Sequence, residues 1–311
     1  MRKPLVLIKG GGDLASGAAH ALAVRGIAVV VTELRKPTMV RRKVSFGNAV
    51  YEGDVEIEGV KGVLCPSAKE AFIAVHSGDV AVVVDPVCSG IQFLKPHVLL
   101  DARMAKRNTG TRAHDAPVVI ALGPGFTAGV DCHAVIETLR GPGLGAVLYT
   151  GSAAPSTGRP AEVMGHAADR VLRAPCDGVF EGSLSIGDMV RAGVTVGRVR
   201  PASGPREEAS KGLPADVRAE IAGVLRGVLA DGVAVREGQK VGDVDPSGRR
   251  ETCLVLSDKA LRVGDGVLEA IRKLAPQVLE NAWPAGGAAA KLQGRGIEPL
   301  RRRWPWAVGG S

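Results

Sequence analysis

Across 311 residues the chain is 45% hydrophobic but only 3% aromatic, and its formal charge is +8. That length holds two domains, with cores built from Val, Leu, Ile and Ala rather than from rings. No apolar run approaches the roughly 18 residues of a membrane span, the five cysteines stand singly with no Cys-x-x-Cys pair, and no aromatic platform or nucleic-acid motif accompanies the charge. A membrane span, a zinc or disulfide framework and nucleic-acid binding are therefore not expected.

The start, Met1-Arg-Lys-Pro-Leu5, lacks a signal-peptide profile, because apolar Leu5–Ile8 is too short for an h-region; the expected compartment is the cytoplasm. Those four residues read as a strand that runs into Gly10, Gly11 and Gly12. A small-residue helix follows, Leu14 to Val24, then a second apolar strand, Ile27 to Thr32, which delivers Glu33. Strand, glycine turn, helix, strand and acid is the layout of a phosphate-binding βαβ unit, with Glu33 near the distance at which an acid takes a ribose hydroxyl. Glycines bring backbone amides close to a phosphate, and the helix N-terminus adds partial positive charge. Asp13 stands where a pyrophosphate would sit and would repel it. It has two other roles open to it, capping the helix or holding a metal ion that bridges to phosphate. Nucleotide-like binding therefore fits better than ordinary hydride chemistry.

Basic residues Arg35, Lys36, Arg41, Arg42 and Lys43 follow Glu33 and suit an anionic small molecule. Short strands at Ala49–Val50 and Asp54–Ile57 precede a helix from Ser67 to about Gly78. Val80–Val84 and His97–Leu100 are apolar throughout, as strands covered on both faces should be, and they end at Asp85 and Asp101. Ligands of open parallel sheets gather outside the carboxyl ends of strands, where Gly10 to Gly12, Glu33, Asp85 and Asp101 all fall. After Asp101, the residues Arg103, Lys106 and Arg107 have helical spacing and could share a face that grips phosphate or carboxylate. Val118–Leu122 is a further strand, and Gly123 to Gly129 a second glycine-rich turn. In the next stretch His133 and Glu137 would lie on one helical face beside Asp131, too few ligands for a metal site.

From Val171 the pattern changes. Gly178, Val179, Gly187, Val190, Gly193, Gly197 and Val199 recur as Gly223, Val224, Gly232, Val235, Gly238, Gly242 and Val244, each 45 residues on. Two glycine-punctuated halves in register predict a pseudo-symmetric sandwich of short strands, similar to a biotinyl/lipoyl-type barrel-sandwich hybrid. Neither Lys211, in a long connection, nor Lys259, after the second half, stands where a carrier lysine would. A helix at Asp258–Leu274 follows and packs back onto one domain. The residues from Ala285 on, rich in Gly, Ala, Arg and Pro, read as a disordered basic tail.

Many phrases of this chain resemble, in order, one family. They are Gly10-Gly-Gly-Asp-Leu-Ala-Ser-Gly17, Thr32-Glu-Leu34, Val40-Arg-Arg-Lys-Val-Ser-Phe46, Ala49-Val-Tyr-Glu-Gly53, Ala105-Lys-Arg-Asn108, Gly123-Pro-Gly-Phe126, His133-Ala-Val-Ile-Glu-Thr138, Val171-Leu-Arg-Ala-Pro175 and Gly223-Val-Leu-Arg-Gly227. The family is that of the selenium-dependent molybdenum hydroxylase system accessory proteins. The resemblance implies a bacterial cytoplasmic factor that matures molybdenum hydroxylases at the molybdopterin cofactor or its labile selenium, with the hydroxylase apoenzyme as partner. It hands over no catalytic residues. Where the family often has Asp-Val-His, this chain has Asp131-Cys132-His133, and the thiol is either a buried replacement for valine or a handler of selenium or sulfur.

The expected fold is α/β: a Rossmann-like parallel-sheet domain over residues 1–165, then a pseudo-symmetric all-β barrel-sandwich-hybrid-like domain over 168–256, a closing helix over 257–280 and a basic tail over 281–311. The leading functional expectation is a maturation factor that binds a molybdopterin-type cofactor or a nucleotide, its phosphate at Gly10, Gly11 and Gly12. Glu33 would take a hydroxyl or ring donor, and Arg103, Lys106 and Arg107 would balance charge. The alternatives are an NAD(P)-dependent oxidoreductase, which Asp13 disfavours, and a non-catalytic adaptor that docks the hydroxylase.

Overall fold

The computed structural model describes residues 4–201 and 213–281. The first half of the chain lays down β1 (Leu5–Lys9), α1 (Asp13–Ala23), β2 (Ala28–Glu33), α2 (Ala49–Glu52), β3 (Asp54–Ile57), β4 (Val60–Cys65), α3 (Ala68–Ala74), β5 (Val80–Val84), α4 (Ile91–Leu94), β6 (Val98–Asp101), β7 (Val118–Leu122), β8 (Ala134–Ile136) and β9 (Val147–Leu148). All nine strands join one sheet, in the order β3-β4-β5-β2-β1-β6-β7-β8-β9. From β4 to β8 the pairings are parallel, whereas β3 on β4 and β9 on β8 run antiparallel. The central strands are Val-, Leu- and Ile-rich and buried along their length, because both faces of the sheet are covered. One face packs against Ala18 and Leu22 of α1; the other packs against Ala71 of α3 and Leu94 of α4.

The second half forms β10 (Val171–Arg173), β11 (Gly178–Gly182), β12 (Met189–Val190), β13 (Thr195–Pro201), β14 (Ala215–Arg218), β15 (Gly223–Val228), β16 (Ala234–Val235) and β17 (Lys240–Asp245), then α5 (Asp258–Leu274) and α6 (Pro276–Glu280). Its two antiparallel sheets have the orders β10-β17-β15-β12 and β14-β13-β11-β16. The 45-residue repeat relates β10, β11, β12 and β13 to β14, β15, β16 and β17. Under that exchange each sheet becomes the other, so every half supplies two strands to each sheet.

The expected architecture is corrected by this topology. In place of a Rossmann-like parallel sheet there is a mixed one, with an antiparallel strand at each edge. The connections from β6 to β7 and from β7 to β8 contain no α-helix. The cover they would have supplied comes from α5, whose Val263, Val267 and Ile271 join Leu22 of α1 and Ile136 of β8 in one core. Nor does the second half stand apart as a barrel-sandwich-hybrid-like domain: it is two antiparallel sheets built onto the segment after β2. There the Val228 amide donates to the Val40 carbonyl at 2.9 Å, and Lys36 Nζ donates to the Gly232 carbonyl at 2.7 Å.

Ser257 caps α5, its hydroxyl accepting the Ala260 amide at 3.1 Å. Gly264 and Gly266 inside this helix let backbones meet: a Cβ on Gly264 would lie 2.8 Å from the Gly17 carbonyl oxygen, and one on Gly266 would lie 2.2 Å from that of Gly145. Among the described residues no helix is long and apolar enough to cross a membrane. Lys211 and residues 282–311, nearly all of the expected basic tail, lie outside the described residues.

Candidate functional site

The carboxyl ends of β1, β2, β5 and β6 open on a cleft of about 570 Å³. It gathers Gly10, Gly12, Asp13, Glu33, Asp85 and Arg103 from among the residues singled out in the sequence, while Gly11, Asp101, Lys106 and Arg107 do not line it. Thr38, Met39, Val40 and Arg41 form a further wall, and Lys240 at the start of β17 reaches in from the second half of the chain. The site is therefore shared between the two halves, which the sequence reading did not foresee.

The glycine turn is tied chiefly to protein. Gly10 takes a positive φ of 90° and donates its amide to the Thr32 carbonyl at 2.8 Å. The Gly11 amide donates to Glu33 Oε2 at 2.7 Å, and a Cβ on Gly11 would stand 2.7 Å from the Gly47 nitrogen. Gly12 is the N-cap of α1, extended at φ −75° and with no side-chain cap. A Cβ there would meet only Met39 Cβ, at 3.9 Å. What the turn presents to the cleft is thus Gly12 and the first turn of α1, whose leading amides have no intrahelical partner.

Both oxygens of Glu33 hold backbone amides, Oε2 that of Gly11 and Oε1 that of Leu34, each at 2.7 Å. Burial pushes its carboxyl above the ordinary glutamate range, against the pull of those two bonds. Asp13 does not cap α1. Its carboxylate accepts from Arg41 Nη1 at 3.2 and 3.0 Å, and Arg41 Nη2 donates onward to the carbonyls of Thr252 and Val255. Asp85 is occupied by the next turn, accepting from the Ser89 amide at 2.9 Å and the Gly90 amide at 2.8 Å.

The expected cationic face after β6 is not helical. Residues 102–112 form a loop in which Met104 and Lys106 take φ values of 56° and 61°, and Lys106 and Arg107 are exposed. The loop conformation follows from buried Asp101, which grips the guanidinium of Arg103 with both oxygens and accepts from Thr111 Oγ1 at 2.7 Å. Lys9 Nζ joins this network through Thr111 Oγ1 at 2.9 Å and Asp115 at 3.6 Å. Arg103 and Lys9 are thus committed to carboxylates of the fold.

The stretch with His133 and Glu137 is strand, not helix, so the two do not share a helical face. His133 Nδ1 accepts the Val119 amide at 3.0 Å, and Glu137 holds the amides of Thr138, Leu139 and Ala154. Asp131 accepts from Asn108 Nδ2 and the Thr127 amide. Cys132 is buried, and burial pushes its thiol up to about 12. Among the described residues no group of three or more His, Cys, Asp and Glu could hold a metal ion.

Around the cleft wall formed by Arg41 and Lys240 lies a second charged cluster. Arg170 Nη1 donates to Asp243 at 2.7 Å, Lys240 stands 3.6 Å from the same carboxylate, and Arg226 Nε stands 3.8 Å from Asp245. Burial lowers the proton affinity of both Arg226 and Lys240, and repulsion from Arg41 adds to it at Arg226. The Nε atoms of Arg41, Arg170 and Arg226 are buried without a hydrogen-bond partner. The basic run after Glu33 announced Arg41. A signal for Arg226 and Lys240 lay in the repeat itself, where their counterparts 45 residues earlier are Glu181 and Thr195.

No protein-family profile matches the chain. It is 45% identical over 273 residues to an uncharacterized protein, YqeB, of Escherichia coli (strain K12); the match takes in 88% of this chain and 48% of the relative, so the chain spans about half the length of the curated relative it matches. Among solved structures, an aspartoacylase family protein of Mesorhizobium loti aligns over 78% of this chain and 85% of its own, at 15% identity and a TM-score of 0.26. A succinylglutamate desuccinylase/aspartoacylase of Rhodobacter sphaeroides aligns over the same shares, at 13% identity and a TM-score of 0.26. At such scores neither a fold nor a chemistry passes to this chain.

Proposed function

We propose that this chain matures molybdenum hydroxylases by holding a phosphorylated ligand, a molybdopterin-type cofactor or a nucleotide carried as cargo, in the cleft at the carboxyl ends of β1, β2, β5 and β6. The observation that carries the reading is the cleft itself. Its volume of about 570 Å³ lies within the range of small-molecule sites, and it combines the open first turn of α1 with cationic and carboxylate side chains. The fit to an anion is supported by the buried, unpartnered Nε of Arg41 in its wall. The fit to a ring bearing N–H donors is supported by Glu33, whose oxygens each keep a lone pair beyond the backbone amides they hold.

On this reading Gly12 and the α1 amides meet the ligand, Gly10 and Gly11 shape the turn, and Glu33 orients a hydroxyl or ring donor. Asp85 and Asp101 keep the strand ends in place. The order of the resembling phrases supports the link to molybdenum hydroxylases, with the apoenzyme as partner and the cytoplasm as compartment. Asp13 and its Arg41 partner occupy the mouth of the turn, which favours this reading over a nicotinamide-dependent oxidoreductase.

Native mass spectrometry of the purified full chain is the test, followed by denaturation and identification of released small molecules. A co-purifying pterin or nucleotide that is absent from a Gly12→Val preparation is the expected result. A chain that carries no ligand from cells and binds neither class on titration would end the proposal.

A further inference from the structure

The two halves of the repeat differ in charge where they should match. Glu181 and Arg200 of the first half pair at 2.5 Å on the exposed surface. Their counterparts 45 residues on are Arg226 and Asp245, the same pair with its signs reversed. That second pair is withdrawn from solvent, at 18% and 7% side-chain exposure, and stretched to 3.8 Å. Thr195 is likewise replaced by Lys240, and Arg198 by Asp243. A pair needed only to hold a sheet would not have to change sign. The changed residues are those of the half whose β15 abuts the segment leading to Arg41.

The cluster so formed has a surplus of cations. Arg41, Arg170, Arg226 and Lys240 meet Asp13, Asp243 and Asp245. The carboxylates are well satisfied: Asp13 takes Arg41, Asp243 takes Arg170, and Asp245 accepts the Ser247 amide at 3.0 Å and Thr252 Oγ1 at 3.1 Å. The guanidinium groups are less so, each keeping one buried Nε without a hydrogen bond. Three of the six buried unpartnered side-chain atoms among the described residues are guanidinium Nε atoms of this cluster. Buried donors without acceptors are costly, and like charges crowded in a protein interior more so. Arg41 and Lys240 line the cleft, whereas Arg170 and Arg226 do not, so an anion entering beside the first two would offer an acceptor to Arg41 and negative charge to the whole cluster.

We propose that Lys240 and Arg41, which line the cleft, form the seat for the phosphoryl group of the cleft's ligand, with Arg226 behind them adding positive charge, so that the ligand bridges the two halves of the chain. This rests on the reading of the cleft as a phosphorylated-ligand site and assigns its anion to the second half rather than to the glycine turn alone. The class of ligand is a phosphate monoester or pyrophosphate whose organic part extends from Lys240 toward Glu33 and Asp85.

The test is calorimetric titration of the full chain with inorganic pyrophosphate and, separately, with guanosine monophosphate, using Lys240→Met, Arg226→Met, Gly12→Val and Lys106→Ala. Lys240→Met leaves Asp243 its Arg170 partner, and Arg226→Met leaves Asp245 its Ser247 and Thr252 bonds, so both variants should keep the wild-type melting temperature or exceed it. Lys240→Met should weaken either anion by about tenfold or more, as expected for loss of a charge-assisted hydrogen bond, Arg226→Met should weaken it by less, through charge alone, and Lys240→Arg should restore most of the affinity lost in Lys240→Met. Lys106→Ala should bind as wild type. If Gly12→Val abolishes binding while Lys240→Met and Arg226→Met bind like wild type, the cleft reading stands and the seat proposed here is wrong. If wild type binds neither anion, both fall.

Discussion

Glu33 Oε2 accepts the Gly11 amide at 2.7 Å, so the turn that leaves β1 is pinned by the carboxylate that ends β2. Burial raises the pKa of this carboxyl above the ordinary 4.5. The native state therefore binds its proton more tightly than the unfolded chain does. The stability contributed by Glu33 is full below the unfolded value and is lost as pH rises through the raised native value. Glu33→Gln removes the titration. Urea unfolding between about pH 4 and 7 should show wild-type stability falling relative to the variant as pH increases. Wild-type stability that instead rises relative to the variant as pH increases would mean that the two backbone bonds outweigh burial.

Gly12 and Gly10 separate function from folding within one turn. Gly12→Val places its side chain in the cleft from an unstrained φ of −75°, with Met39 Cβ its nearest neighbour at 3.9 Å. It should cost about 1 kcal/mol or less in stability and abolish pyrophosphate binding. Gly10→Ala should do the reverse, because a φ of 90° and the Arg103 backbone at 3.2 Å oppose any Cβ. The expected loss there is about 1–3 kcal/mol. Chemical denaturation and calorimetry on both variants check the pair, and equal binding by Gly12→Val and wild type would remove the turn from the site.

The sequence disclosed this turn, but not what holds it. Apolar runs such as Val80–Val84 and Val118–Leu122 read as buried strands, and the 45-residue spacing marked two like halves, but the exchange of their strands between two sheets is visible only in the pairings. Periodicity misled at two places. Arg103, Lys106 and Arg107 have helical spacing, yet the Asp101 carboxylate captures the Arg103 amide and guanidinium and diverts the chain into a loop. His133 and Glu137 also have it, yet Ala134–Ile136 adds to β7. In both, a long-range or side-chain partner overrode local spacing. The contribution of Lys240 to the cleft depends on how two halves far apart in sequence are set against each other, which no local pattern encodes.

Gly17→Ala tests the closure of the first half by α5. In an open helix that change would stabilise by about 1 kcal/mol. Here the new Cβ would stand 2.2 Å from the Ala260 carbonyl oxygen and 3.0 Å from its Cβ. Backbone atoms cannot swing aside, so the helices must separate, at a cost of about 1–3 kcal/mol. We expect net destabilisation in thermal and urea unfolding. A stabilised variant would show that α5 does not rest on α1 as described.

Cys132 should be chemically silent in the folded protein. Its thiol is buried and its pKa pushed up to about 12, so about one molecule in 10,000 carries the reactive thiolate at pH 8. Alkylation of the native chain with iodoacetamide, read by peptide mass spectrometry, should mark half-exposed Cys176 first and Cys132 only after unfolding. Rapid native labelling of Cys132 would revive a role for that thiol in handling selenium or sulfur.

The loop after β6 sets two kinds of charge side by side, and they should respond oppositely to mutation. Asp101 is 1% exposed and holds Arg103 and Thr111; Arg103 keeps 27% of its side chain in solvent. Asp101→Asn leaves the Arg103 charge without its carboxylate and weakens the acceptor for Thr111. A broken buried pair costs about 3–5 kcal/mol, and the partial hydration of Arg103 places this one near 3. Lys106 and Arg107 are exposed and outside the cleft. Their double replacement by Ala should change stability by no more than about 0.5 kcal/mol per site and leave pyrophosphate affinity unchanged at low and high salt alike. Urea unfolding and calorimetry at two ionic strengths decide the matter. Should the double variant lose affinity most strongly at low salt, the loop steers the anion after all, and its two exposed cations belong to the site.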